Sequence, residues 1–248
     1  MDQQRLLFSM KHWQKIVLGL GSVVLLCSGY LTIRQPQWMF QWIAQLRPGA
    51  VFFMPTDDPV IALTIDDGPQ SETTEAILQV LERHGVQATF FMLSDGIAGH
   101  EAVLKRLVES GHELGHHMTT DESSIRLSPT EFEARFLQAD QVLSAYGDMG
   151  WFRPGMGWYS DRMVQMVEAN NYQLVLGSLF PYDTHLPSVQ FAEWFILNNL
   201  DPGDILVLHD GPKNRGDSTL RLLESLLPKI QARGYRIVTL SELDKISQ

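Results

Sequence analysis

From residue 60 onward, short apolar runs alternate with stretches of helical period. Residues 60–65, 88–92, 113–117, 151–153, 172–176, 204–208 and 235–239 have strand length and are mostly β-branched, aromatic or aliphatic. Between them, Ile77, Val80, Leu81 and His84 recur at helical spacing and stop at Gly85, and Val103, Leu104, Leu107 and Val108 stop at Gly111. Ser128-Pro129-Thr130-Glu131 reads as a capping box with proline at the first helical position, ahead of Phe132, Phe136 and Leu143 on one face. Further helices are expected after Ser160 and Ser218, the second meeting Pro228 and ending near Gly234. About seven strand–helix units in roughly 190 residues predict an α/β fold, a distorted parallel (β/α)7-type barrel. An open doubly wound sheet is the alternative, but no G-x-G-x-x-G follows the first strand.

The N-terminal pattern is different. Residues 16–33 carry no charge and are flanked by Arg5, Lys11 and Lys15 on one side and Arg34 on the other. The span is slightly short of the roughly 20 apolar residues a crossing helix needs, and Gly19, Gly21, Gly29 and Thr32 interrupt it. An uncleaved single-pass membrane anchor is expected in preference to a signal peptide that releases a secreted protein. Cys27-Ser28-Gly29 is a poor cleavage site, and no alanine precedes Ala44. The excess of positive charge on the N-terminal side places the rest of the chain outside the cytoplasm. The expected division is a cytoplasmic stub and anchor (or signal peptide) over 1–34, a juxtamembrane amphipathic segment over 35–57, and the barrel over 58–248. Trp38, Phe40 and Trp42 either lie in the bilayer interface or pack on the domain.

Composition narrows the chemistry. The chain has 248 residues, 44% of them hydrophobic, enough for one sizeable core. A formal charge of −10, with no basic stripe, argues against nucleic acid as a ligand. The single cysteine excludes an intrachain disulfide and a thiolate metal cluster, so any metal must be held by histidine and carboxylate.

In a parallel barrel the reactive residues sit at the carboxyl ends of the strands. Here the first strand ends at Asp66-Asp67 before Gly68-Pro69. The third ends at His116-His117 with Asp121 behind it, the fourth at Arg153-Pro154, the fifth leads toward Asp183, and the sixth ends at His209-Asp210. Adjacent side chains on a regular strand face opposite ways, but a turn at the strand end lets both carboxylates reach one cavity, one to bind a metal and one to take a proton. His116 is expected to face away from His117 and to pack, and Trp158 and Tyr159 are candidates for a sugar-stacking wall. Acidic, basic and imidazole groups gathered at one barrel face indicate an enzyme.

These stretches resemble the polysaccharide deacetylase family, the NodB-homology carbohydrate esterases, over about residues 58 to 242. Residues 64–69, TIDDGP, resemble its first motif, which implies Asp66 as general base and Asp67 as metal ligand. GHELGHH followed by Asp121 resembles the second, which implies His117 as a metal ligand and sets Asp121 where the family has a second histidine. FRPGMG resembles the third, implying that Arg153 orients the base and that the amide of Met156 stabilises the oxyanion. Asp183 matches the acidic residue of the fourth motif. LVLHD resembles the fifth, with His209 as general acid and Leu208 lining the acetyl pocket.

The implied reaction removes N-acetyl groups from a GlcNAc-containing glycan, peptidoglycan or chitooligosaccharide. An amide is a poor electrophile with a poor leaving group, so hydrolysis needs an activated water, a clamp on the oxyanion and a proton for the nitrogen. A divalent metal supplies the first two. Zinc is the ion the resemblance implies, with manganese or cobalt admitted because a carboxylate at 121 makes a harder ligand set. The alternatives are a catalytically impaired carbohydrate-binding protein on the same fold, motivated by the missing second histidine, and an O-acetyl esterase.

Overall fold

The computed structural model describes residues 3–70, 72–212 and 214–248, with side chains from residue 17 onward. The side chains of Arg5, Lys11 and Lys15 therefore lie outside the described residues.

Chain order is α1 (Gln3–Arg34), α2 (Gln37–Leu46), β1 (Ala50–Val51), β2 (Val60–Gly68), α3 (Thr73–His84), β3 (Thr89–Met92), α4 (Glu101–Glu109), β4 (Glu113–His116), α5 (Pro129–Leu143), β5 (Trp151–Phe152), α6 (Asp161–Ala169), β6 (Gln173–Val175), α7 (Val189–Asn199), β7 (Ile205–His209), α8 (Arg215–Ala232), β8 (Arg236–Val238) and α9 (Leu240–Ser247). The strands form one parallel sheet in the order β1-β6-β5-β4-β3-β2-β7, with β8 alongside the start of β2. Past β6 the chain pairs with β7 through the Leu179–Leu206 bridge, and the sheet curls back on itself as the expected distorted barrel. β2 is buried along its whole length, which is why it reads as an unbroken apolar run and not as an alternation.

Helices begin and stop where the local chemistry requires. Ser128 Oγ accepts from the Glu131 amide while the Glu131 carboxylate accepts from the Ser128 amide, closing the capping box on α5. Gly85 ends α3 at φ 61°, a left-handed position that glycine takes at little cost. Ile61, Leu63, Ile65, Leu206 and Leu208 pack outward against α3, α7 and α8. Phe132, Phe136, Phe152 and Tyr172 form a ring cluster under α5, in which His116 stacks on Phe136 with centroids 4.3 Å apart. Burying each such aromatic contributes about 2–3 kcal/mol. His116 is therefore a packed residue: its Nε2 lies 3.0 Å from the Phe136 carbonyl and its Nδ1 accepts from the Met118 amide.

Several features depart from the sequence expectation, among them α9, which is not among the expected helices. β1 pairs with β6, so the sheet takes in residues ahead of position 58, the expected domain start. A strand of two residues carries no periodicity to detect. α7 is absent from the expected helices, because its apolar residues are spread around the helix and leave no single stripe. The aromatic segment does not act as a unit. Phe40 is buried against Phe52 and Phe180, while Trp38 and Trp42 are each 59% exposed.

Candidate active site

The Asp-Asp pair reaches one cavity because β2 bulges. Its pairing with β3 runs Asp66 to Phe91 and then Gly68 to Met92, so Asp67 is the extra residue, at φ 70°. Both carboxylates consequently line a cleft of about 670 Å3 at the carboxyl ends of the strands, shared with His117, Asp121, Arg153, Met156, His209 and Arg215.

Asp66 is tied to Arg153, whose Nη1 donates to Asp66 Oδ1 at 2.6 Å and to Thr64 Oγ1 at 2.8 Å. Both partners are nearly inaccessible, and the guanidinium also lies 4.2 Å from the Phe91 ring centroid. A buried charge is tolerable only when paired in this way. The base candidate is therefore held in one orientation by a stiff partner. Arg153 Nη2 is buried with no hydrogen-bond partner among the described residues.

Asp67 and His117 form a second pair. His117 Nδ1 lies 2.8 Å from the Arg153 carbonyl, an acceptor, so Nδ1 carries a proton and Nε2 is the nitrogen turned toward Asp67. That Nε2 lies 3.5 Å from Asp67 Oδ1. Burial disfavours a charged imidazole, but the carboxylates of Asp66 and Asp67 outweigh it and raise the His117 pKa above its ordinary value. The Asp67 carboxyl is pulled the other way. Burial would raise its pKa, yet His117, His209 and Arg215 hold it down to about 2. The space between Nε2 and Oδ1 thus favours positive charge, and two donors of this chemistry suit a divalent ion. Asp121 lines the same cleft, but its Oδ2 lies 3.6 Å from Arg215 Nη1, and among the described residues no three His, Cys, Asp or Glu groups are drawn together tightly enough to enclose an ion.

Across the cleft, His209 Nδ1 lies 2.9 and 3.1 Å from the two Asp183 oxygens, leaving Nε2 for the cleft. Burial lowers the His209 pKa, but Asp183, Asp66 and Asp67 together raise it to about 9. The imidazolium therefore persists through neutral pH, as a proton donor requires. Because the folded pKa lies above the unfolded one, its stabilising contribution is complete below about pH 6.5 and is lost as pH rises through about 9. Of the three carboxylates, Asp183 favours the imidazolium most strongly. Asp183→Asn should move the alkaline limb of the pH–rate profile down by about one unit or more, which a kcat profile between about pH 6 and 10 reads directly.

Met156 lines the cleft in a left-handed conformation at φ 63° and is 61% exposed, as is Trp158 at 67%. His185, two residues beyond Asp183, also lines it. Leu208 requires a correction. It is fully buried in the core between sheet and helices, because it shares the parity of Leu206, whereas Val207 and His209 face the cleft. Val207 takes the lining position expected of Leu208. Arg215 is a cleft residue that the sequence reading does not pick out. It is the first residue of α8, and its Nη1 donates to Asp67 Oδ2 at 2.9 Å. A cation in the first turn of a helix opposes the helix dipole, and that violation is the available signal.

Residues 54–175 match the family described as "Polysaccharide deacetylase". A peptidoglycan-N-acetylglucosamine deacetylase of Bacillus cereus is 31% identical over 193 residues, covering 77% of this chain and 90% of the relative. A chitooligosaccharide deacetylase of Bradyrhizobium is 30% identical over 197 residues, covering 74% and 90%. The solved structure of the Bc1960 peptidoglycan N-acetylglucosamine deacetylase superposes with a TM-score of 0.76 at 25% identity, covering 83% of this chain and 96% of that one. With the curled parallel barrel and the paired acids and imidazoles at its strand ends, this similarity establishes that the chain belongs to the polysaccharide deacetylase family.

Proposed function

We propose that the protein is a metal-dependent hydrolase that removes N-acetyl groups from a GlcNAc-containing glycan. The observation that carries this reading is the convergence of the Asp66–Arg153, Asp67–His117 and His209–Asp183 pairs on one cleft. The ligand set is Asp67 and His117 with Asp121 as third member; when bound there, a divalent ion, zinc with manganese or cobalt as alternatives, would acidify water and polarise the acetyl carbonyl.

The chain's own residues supply the rest. Asp66, aimed by Arg153, takes the proton from the attacking water. The Met156 amide is assigned to stabilise the oxyanion. His209, kept protonated by Asp183, gives a proton to the departing amine nitrogen, which then leaves as the free amine. Trp158 at the rim offers a ring face to a sugar. The B. cereus and Bradyrhizobium relatives are named for peptidoglycan and chitooligosaccharide, so both are candidate substrates. Comparing acetate release from N-acetylated chitooligosaccharides and peptidoglycan with release from O-acetylated sugars tests this. Release from the N-acetyl substrates supports the reading, and release from O-acetyl esters alone replaces it with the esterase.

An uncleaved anchor with the barrel outside the cytoplasm is part of the same proposal. Val17–Arg34 is long and apolar enough to cross a membrane and is nowhere buried. Its last turn is fastened to the domain beside the cleft: Tyr182 Oη donates to the Thr32 carbonyl at 2.7 Å, Asn199 Nδ2 to the Ile33 carbonyl at 2.9 Å, and Gln35 exchanges two hydrogen bonds with Phe180. Exposed Trp38 and Trp42 suit the interfacial zone next to it. The full-length protein should remain in the membrane fraction after alkaline carbonate washing, with its original N-terminus. A soluble product lacking residues up to about 29 would instead establish signal cleavage.

A further inference from the structure

Arg215 is a charged cleft residue that the proposed reaction does not use. Its Nη1 is shared by two carboxylates, 2.9 Å from Asp67 Oδ2 and 3.6 Å from Asp121 Oδ2, and its side chain is 23% exposed. The approach is built into the loop ahead of α8. A Cβ on Gly211 would lie 3.2 Å from Asp67 Oδ2 and 3.3 Å from Arg215 Cδ, so a side chain there would crowd both partners of the pair. The neighbouring Asp210 carboxylate does not compete for the guanidinium, since the Thr73 and Thr74 hydroxyls donate to it. Arg215 also sits at the positive end of the α8 dipole, so its position is held by Asp67 and Asp121 against an unfavourable local field.

The charges explain why a cation belongs there. Asp121 stands where the family pattern has a neutral histidine, which adds one negative charge to the ligand set. Arg215 restores one positive charge, through the same two carboxylates. We infer that Arg215 is a positioning residue acting as a built-in counter-cation, whose hold on Asp67 and Asp121 must be given up when a divalent ion takes both carboxylates. The inference rests on the proposed metal site at Asp67, His117 and Asp121. It has two consequences of opposite sign. Arg215 weakens ion binding, because a like charge shares the ligand oxygens, and it stabilises the metal-free protein by bridging two carboxylates and offsetting their repulsion.

The test is calorimetric titration of the metal-stripped full-length protein with Zn2+ and Mn2+, together with its melting temperature before loading. Arg215→Gln keeps a polar donor on a shorter stem and removes the charge. It should bind both ions about tenfold or more tighter than wild type while melting lower without metal. Arg215→Lys keeps the charge as a flexible point and should stay near wild-type affinity. A merely structural Arg215 would lower the melting temperature without tightening the ion. Unchanged or weaker affinity in Arg215→Gln, with wild type binding normally, overturns the counter-cation role and leaves the metal site standing. No binding by wild type or by Arg215→Gln overturns both.

Discussion

Asp67→Asn should cost the protein its metal and its activity together. Asparagine tolerates the left-handed backbone that Asp67 adopts at φ 70°, so the bulge in β2 should persist and the change should isolate the lost charge. That charge belongs to a carboxylate that is 3% exposed and faces His117 on one oxygen and Arg215 on the other. With it gone, His117 and Asp121 remain, too few to hold a divalent ion at catalytic geometry. Metal affinity should fall by more than about a hundredfold, and acetate release should fall to background. His117→Ala should do the same, whereas His116→Ala should cost stability without touching metal affinity, since His116 is stacked in the aromatic cluster. Metal content by elemental analysis and turnover on the same samples check both outcomes.

Asp66→Asn should behave in the opposite way. Metal content stays near wild type while kcat falls by about 10² to 10⁴, the range a positioned general base contributes. A neutral amide at this position cannot match the charge of the Arg153 guanidinium, which stays buried beneath the cleft, so the variant should also lose about 3 kcal/mol of stability and melt lower. Loss of metal in Asp66→Asn with retention in Asp67→Asn would reverse the two assignments.

The legible and illegible parts of this chain differ in kind. β2 and β7 are readable because strands buried on both faces leave uninterrupted apolar runs, and their ends are readable because polar residues after such runs are conspicuous. The Asp66–Arg153 and His209–Asp183 contacts join residues that each follow such a run or motif but lie far apart in the chain. What cannot be read depends on parity or on tertiary closure. Its place in a motif assigns Leu208 to the cleft, although one residue along a strand exchanges the cleft for the core. β1 is recognised as a strand only through its pairing with β6, and Phe40 parts from Trp38 and Trp42 only once α2 docks on the barrel. Arg215 arrives at the site from the start of a helix 148 residues after Asp67, a separation that no local pattern encodes.

The most direct measurement of the central claim is acetate release from N-acetylated chitooligosaccharide by metal-stripped full-length protein, before and after reloading with Zn2+, Mn2+ or Co2+, with Asp66→Asn treated in parallel. Release should be at background when the protein is stripped, should recover on reloading, and should recover to a level at least about a hundredfold lower in Asp66→Asn despite equal metal content. Release by stripped protein equal to that of the reloaded enzyme, or equal release by wild type and Asp66→Asn, would contradict the claim.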